Sequence, residues 1–523
     1  MNRPQSHCCS FSPLMPDFCN KLIHSIGIPL LLSITTNAGL AHADQKGLVA
    51  SGAWRALNHP LCTDGGPCIK AGTPLLLTDG TVIVHEMCGS RWVRLSPDIN
   101  GDYVNGTWSE IASLPPGYAP LDYASAVLPD GNIIINGGEY NNTGSGCNLV
   151  LTNKGAVYDP INNIWSPVAP PAGWGYIGDA PSVMLPDGRY MLTNSQTKEQ
   201  AILDTLSLTW ASTGSNKADI NEEEGWTLLP DGTVLTVDTN NPGDLTHSER
   251  YLPSSGSWIS AGSTIVRLDD SGSHEMGPQV LRPDGTVFAA GATGYTAVYK
   301  PSHNSNKTGT WVPGPSFPDV MGQGQYDVAD GPAALLPDGN VLIAASPGVF
   351  HPPTHFFEFD GSTLTQVRAP PNAQAFESSY WGRLMVIPTG QVLFTDTTTD
   401  IEIYTPTGTF KEAWRPRFEQ HPFTLVHGRT YRIYGRLFNG RSQGDAYGDD
   451  YQGATNYPLV RITSLASGHV FYCRSFNLSA MGVGNNGREY TNFTVPPEIE
   501  LGDSQIEVVA NGIPSQPRVA SIM

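Results

Sequence analysis

Seven times along this 523-residue chain a short apolar run is broken by a tight turn and resumes as a second apolar run. The turn is Asp-Gly in six copies: Asp79-Gly80 in LLLTDGTVIV, Asp130-Gly131, Asp187-Gly188, Asp231-Gly232, Asp284-Gly285 and Asp338-Gly339. The seventh copy is Thr389-Gly390 in VIPTGQVLFT. Asp-Gly between β-rich runs marks a hairpin, because glycine takes the positive φ that such a turn demands. The turns recur every 44 to 57 residues, which leaves room for two more short strands in each unit.

Those strands are visible. A third strand follows each hairpin, as in GAVYDP, SERYLP, TAVYKP and IEIYTP, and a fourth carries Trp108, Trp165, Trp210, Trp258, Trp311 or, in the sixth unit, Leu364. A large ring on the outer strand suits the wedge between sheets that splay from a common axis. A period of about 50 residues with four strands per unit predicts an all-β, kelch-type β-propeller. The seventh hairpin has no tryptophan strand after it. SGAWRAL, around Trp54, precedes the first hairpin and is expected to complete the last blade, giving seven blades over residues 51–410 and no free edge.

After Pro406 the period stops. Candidate strands at 430–437, 458–463, 469–475, 489–495, 505–510 and 518–522 predict an Ig-like β-sandwich over 418–523. The stretch RSQGDAYGDDYQGATN between the first two is polar and glycine-rich, and is expected to be an exposed, functional loop around 445–450.

The N-terminus reads as a secretory signal over residues 1–43. Lys21 and His24 precede IGIPLLLSITTNAGL, and Ala41-His42-Ala43 fits a cleavage site before Asp44. The propeller then occupies 44–417, and the mature protein is expected to be secreted or periplasmic, with no membrane span. Export permits disulfides. Of the five cysteines beyond the signal, Cys62 and Cys68 flank a short loop and are expected to pair; Cys88 and Cys147 form the second expected pair, leaving Cys473 buried and single. The net charge of −19 argues against nucleic acid as a partner and suits a neutral sugar, a cationic partner or a divalent cation.

A seven-bladed kelch propeller closed by its N-terminal strand, followed by an Ig-like domain ending in GIPSQPRVASI, resembles the galactose oxidase-like family. The resemblance implies a copper site of two tyrosines and two histidines, one tyrosine cross-linked to a cysteine. With each hairpin proline as register mark, the tyrosine–histidine pair falls on Tyr380 and Trp381. The cysteine falls on Ala124, the cross-linked tyrosine on Asp179 and the second histidine on Leu478. One position of five survives, and neither tryptophan nor leucine supplies a ligand lone pair. The expectation is therefore the scaffold without its copper-radical chemistry.

The same register exposes a different set. The starts of the inner strands carry Asp122 with Tyr123, then Asp179, then Glu222 and Glu223 with Glu224 next to them, then Glu275 beside His274, then Asp330, and finally Tyr380-Trp381. Equivalent strand starts should form one ring at the mouth opposite the Asp-Gly turns. Two roles compete for such acids: capping neighbouring backbone amides between blades, or binding a ligand. As ligand groups they suit calcium or polyol hydroxyls, and crowding would raise some carboxylate pKa values. Aromatic residues close by (Trp174, Tyr176, Trp226, Tyr326) favour carbohydrate. The expected function is a binding protein for a carbohydrate or protein partner at this mouth, with a carbohydrate-active hydrolase, lyase or epimerase as the alternative. No cofactor is required by the sequence; calcium is compatible and copper is disfavoured. Asp98, Asn100 and Asp102 have the oxygen spacing of a partial calcium loop but lack its later glutamate, so an ordinary polar turn is expected.

Overall fold

The computed structural model describes residues 52–62, 68–302, 304, 307–320, 324–370, 377–447 and 451–523. The signal segment and its Ala41-His42-Ala43 site, and residues 448–450 of the polar stretch, lie outside the described residues. Each repeat unit folds as an antiparallel four-stranded meander. The first sheet comprises Ala71–Leu76, Val82–Glu86, Trp92–Ser96 and Thr107–Ile111. The second to sixth sheets start at Ala124–Val127, Ser182–Met184, Thr227–Leu228, Gln279–Leu281 and Ala333–Leu335. The seventh runs Arg383–Val386, Val392–Thr395 and Glu402–Pro406, and its outer strand is Gly52–Ala56, paired through Trp54 opposite Tyr404.

The turns explain the repeat. In all seven the glycine has φ between 79° and 90°, and its N–H donates three residues back, as from Gly80 to Leu77 and from Gly390 to Ile387. Proline or threonine precedes the aspartate, in the pattern of a type I turn closed by a left-handed residue. Asp79, Asp130, Asp231 and Asp284 each accept the N–H two residues on, which fixes the turn locally.

The outer-strand tryptophans join one sheet to the one before it. The indole N–H of Trp54 donates to Arg368 O, that of Trp210 to Ala169 O, that of Trp258 to Gln200 Oε1 and that of Trp311 to Ser248 Oγ. In these four sheets the ring fills the wedge and its one polar atom is satisfied by the neighbouring sheet; the indole N–H of Trp165 is buried without a partner.

The strands from Arg417–Gln420 onward form two more sheets, with Phe418, Ile433, Val460, Phe493 and Ile506 in the core between them. Four of the six expected strands lie within one residue of the observed ones, a fifth starts three residues earlier, at Gly502–Ala510, and the remaining one is split into Val470–Cys473 and Ser475–Phe476. This unit sits against the turn end of the repeat sheets: Arg474 donates to Asp130 O, and the amides of Leu478 and Met481 donate to Pro129 O and Pro186 O.

The polar stretch expected as an exposed loop is instead inserted among the inner strands. Gln443–Tyr447 pairs with Gln279–Leu281 and with Tyr451–Gln452, extending the fifth sheet to six strands. The Gln443 side chain accepts from Leu228 N–H at 2.6 Å, and Tyr451 donates to Pro74 O at 3.1 Å. Gln443 and Tyr451 are only 4% and 1% exposed. A cavity of ≈ 50 Å³ beside this hairpin is bounded by Leu75, Ser125, Ser182, Leu228 and Met385, so the first strands of five sheets converge on it. The sequence offers polar side chains because an inserted strand must satisfy its own backbone and its neighbours'; polarity was misread as exposure. Glycine allows the close pairing, since a Cβ at Gly444 would lie 2.3 Å from Gly453 O. Among the described residues no helix is long and apolar enough to cross a membrane.

Candidate functional site: a carboxylate cluster at the inner strand starts

Each inner strand begins at the end opposite its turn, and the backbone there is unusual. Asp122, Glu223 and Asp330 occupy the left-handed region with φ of 51°, 60° and 48°. That conformation costs a non-glycine residue roughly 1–2 kcal/mol and persists only where the surroundings hold it. Three separate sheets repeat this device at the residue carrying the acid.

The acids come together. One carboxylate oxygen from each of Glu223, Glu275 and Asp330 lies within 4.8 Å of the other two. Glu275 and Asp330 are 3% and 6% exposed, and Glu275 Oε2 and Asp330 Oδ1 have no hydrogen-bond partner. Burial, then the neighbouring carboxylates, pushes Glu223 and Glu275 well up from their usual range. Burial raises Asp330 to about 6. Asp179, 5% exposed, is raised to about 8 by burial and then by Glu222, and its Oδ1 is also without a partner. Glu222 accepts from Gln196 Nε2 at 2.6 Å.

Asp122 differs from these. It accepts from Arg383 Nη2 at 2.9 Å, and burial still outweighs the guanidinium and keeps its pKa raised. Arg383 also donates to the carbonyls of Tyr380 and Gly382 at 2.6 and 2.8 Å. It thereby anchors the short turn Ser379–Trp381, on which the half-buried rings of Tyr380 and Trp381 lie 4.7 Å apart. Tyr176 is the third half-buried ring in these strand-start loops.

Four aromatic residues expected near the mouth are core residues instead. Tyr123 is 1% exposed and its hydroxyl meets His85 Nδ1 at 2.9 Å, because its side chain points between the first and second sheets. Trp174, Trp226 and Tyr326 lie in three separate apolar clusters. His274 is held to Thr239 O through Nδ1. Asp98 spends Oδ1 on the amides of Asn100 and Asp102, as an ordinary polar turn does. Both expected disulfides, Cys62–Cys68 and Cys88–Cys147, are present, and Cys473 is single and buried.

Sequence reasoning missed a second cluster. Glu224 faces away from Glu223 and binds Lys217 Nζ at 2.6 Å. Glu249 lies at 2.8 Å and Asp238 at 3.8 Å from the same ammonium, and Asp219 also pairs with it. The Lys217 side chain is fully buried and faces the Trp258 ring at 5.6 Å. Burial alone would lower its pKa, and the carboxylates around it raise it well above the usual value. Lysine is scarce in this chain, and one in a polar loop gave no periodic signal.

The sequence matches no protein-family model, and no curated protein is similar to it. Solved structures are similar in fold. A fungal alcohol oxidase of the AA5 family in complex with copper aligns with a TM-score of 0.50 at 13% identity, over 90% of this chain and all of that one. Virginiamycin B lyase from Staphylococcus aureus aligns with a TM-score of 0.44 at 10% identity, over 68% of this chain and 99% of that one. The fold is a galactose oxidase-like β-propeller.

The copper of such an oxidase can be tested against the residues present. Ala124 is fully buried at the start of its strand, Asp179 stands where a tyrosine is needed, and Trp381 has no ligand lone pair. Leu478 lies at the turn end, bonded through its amide to Pro129 O. The strands inserted among the inner strands are Gln443–Tyr447 and Tyr451–Gln452, not the segment carrying Leu478. Among the described cysteines, four are in disulfides and Cys473 is in the sandwich core, so none is left to form the tyrosine–cysteine cross-link. This donor set does not fit a copper-radical centre.

Proposed function

We propose that the protein is an exported seven-bladed kelch-type propeller, closed by its N-terminal strand and followed by an Ig-like sandwich, that binds carbohydrate at the acidic mouth. The observation that carries this reading is the convergence of Glu223, Glu275 and Asp330, with Asp179 and Glu222 in electrostatic contact with them. Carboxylates accept from sugar hydroxyls, and the half-buried rings of Tyr176, Tyr380 and Trp381 offer faces on which sugar C–H groups stack. The anchoring of the Tyr380-Trp381 turn by Arg383 supports preorganisation of that stacking surface. A panel of neutral oligosaccharides, screened by thermal shift and then titrated calorimetrically, tests the reading. Saturable binding lost in Trp381→Ala supports it, and a panel without any binder removes it.

The enzyme alternative has one observation in its favour. Asp179, raised to about 8, holds a proton at neutral pH close to other carboxyls, which is the pairing of acid and base that glycoside chemistry uses. Turnover of a bound oligosaccharide, abolished in Asp179→Asn with binding retained, would establish catalysis.

A further inference from the structure

Glu223, Glu275 and Asp330 bring three carboxylates into one 4.8 Å group with no cationic side chain in it. The nearest guanidinium that acts on Asp330, that of Arg383, is committed to Asp122 and to the carbonyls of Tyr380 and Gly382. Two oxygens of the group, Glu275 Oε2 and Asp330 Oδ1, meet no N–H or hydroxyl donor; the polar contacts of Glu275 run to the carboxyls of Glu223 and Asp330. A fourth side chain outside the group, Asp179, is 5% exposed, has an unpartnered oxygen and acts directly on Glu223. Buried carboxylate oxygens without donors are costly unless a proton or a cation satisfies them.

We infer that Glu223, Glu275 and Asp330 bind one calcium ion. The donors are all carboxylate oxygens, the set that hard cations prefer, with no imidazole or thiolate among them. Three carboxylates supply at most six of the six to eight oxygens that calcium takes, which leaves coordination positions for water or a sugar diol. Half-buried Glu223 is the most accessible member of the group, so the open positions are reached from its side. The Lys217 cluster, in which Glu224, Glu249 and Asp219 pair with an internal ammonium, shows how the same chain treats buried acids when it supplies its own cation.

The inference rests on the reading of the mouth as a ligand site, and cation and sugar are therefore titrated separately. The full chain is stripped with EDTA, dialysed, and titrated with calcium and with magnesium at pH 5 and pH 8, by calorimetry and thermal denaturation. Calcium is expected to bind with a stoichiometry of one and to raise Tm. The rise should be larger at pH 8 than at pH 5, because protons compete with the cation for the same carboxylate oxygens; Arg383, Asp122, Glu222 and His274 complete the titratable and charged groups around them. Glu275→Gln and Asp330→Asn, each shown folded by circular dichroism, should weaken calcium binding about 10–100-fold, and Asp98→Asn should leave it unchanged. Absence of saturable calcium binding at pH 8, an affinity unchanged in both variants, or a response to magnesium alone overturns the inference. Calcium binding without any sugar response would uphold it and remove the carbohydrate reading. Sugar binding without saturable calcium binding would do the reverse.

Discussion

The two carboxylate clusters begin one residue apart. Glu223 turns toward Glu275 and Asp330, and Glu224 turns toward Lys217. Both groups are buried and both gather acids from several strands. In one the chain supplies its own ammonium, held by Glu224, Glu249 and Asp219, with Asp238 at 3.8 Å. In the other the described side chains supply no cation within the group, and two oxygens have no donor. The difference separates a cluster that carries its own counter-charge from one that does not. Backbone strain divides them in the same way: Glu223 and Asp330 lie at positive φ, and none of Lys217, Asp219, Glu224, Asp238 or Glu249 does.

The largest expected effect comes from breaking the internally neutralised cluster. Lys217→Met leaves Asp219, Glu224 and Glu249 without their cation, while Asp238 keeps His247 at 2.6 Å, and removing one partner of a buried ion pair costs about 3–5 kcal/mol. The variant should show a much lower urea midpoint at pH 7 or fail to fold. Recovery at low pH, where the acids gain protons, would show that charge and not volume is responsible. A loss below about 1 kcal/mol would mean that Lys217 does not hold this cluster together.

The mouth should show the opposite pH behaviour to an ordinary protein surface. Asp330 and Asp179 have folded-state pKa values of about 6 and about 8, above the unfolded range near 4. The folded state therefore holds these protons more tightly than the unfolded state. Stability is greatest below pH 4 as far as these groups are concerned, and declines as pH rises to about 8. A two-unit shift corresponds to roughly 3 kcal/mol for one group. The metal-free chain should lose stability between pH 5 and pH 8 in denaturant titrations, and Asp179→Asn with Asp330→Asn should flatten that slope.

A smaller effect carries the comparison most directly, because its sign differs between the clusters. Glu275→Gln removes a charge from a repelling group and should stabilise the metal-free chain by about 1 kcal/mol at pH 8. Glu224→Gln weakens the hold on Lys217 and should destabilise it by about 1–3 kcal/mol. Two glutamate-to-glutamine changes, matched in burial and chemistry, thus give opposite shifts of the urea midpoint. Equal signs would erase the distinction between the clusters.

The repeat architecture was legible because it rests on local chemistry copied seven times. The glycine at Gly80, Gly131 or Gly390 needs its φ whatever surrounds it, and the tryptophans recur at one place in each sheet. The register of strand starts rested on the same repetition, so the carboxyls of Glu223, Glu275 and Asp330 could be placed side by side from sequence. What a side chain does next to its backbone position was not legible. Tyr123 and Glu224 sit one residue from Asp122 and Glu223, and a single step along the strand start reverses the direction of the side chain. The insertion of Gln443–Tyr447 and Tyr451–Gln452 among the inner strands depends on contacts with Leu228 and Pro74, more than 200 residues away in sequence. No local pattern encodes such a partner.

The smallest effect belongs to a third acidic group, the exposed turn at Asp98. Its Oδ1 accepts from the amides of Asn100 and Asp102, both at 2.9 Å, and those hydrogen bonds among its causes hold its pKa below the usual range in spite of slight burial. Here the folded state prefers the charged form. Its contribution is present above the unfolded pKa near 4 and is lost on acidification, the reverse of Asp179. Because the turn is exposed and screened, Asp98→Ala should cost only a few tenths of a kcal/mol to about 1 kcal/mol. The loss should be visible at pH 7 and absent at pH 2.5, with the calcium response intact. An Asp98→Ala variant with a weakened calcium response would move the cation from the strand starts to this turn, and the contrast drawn between the two buried clusters would then have lost its basis.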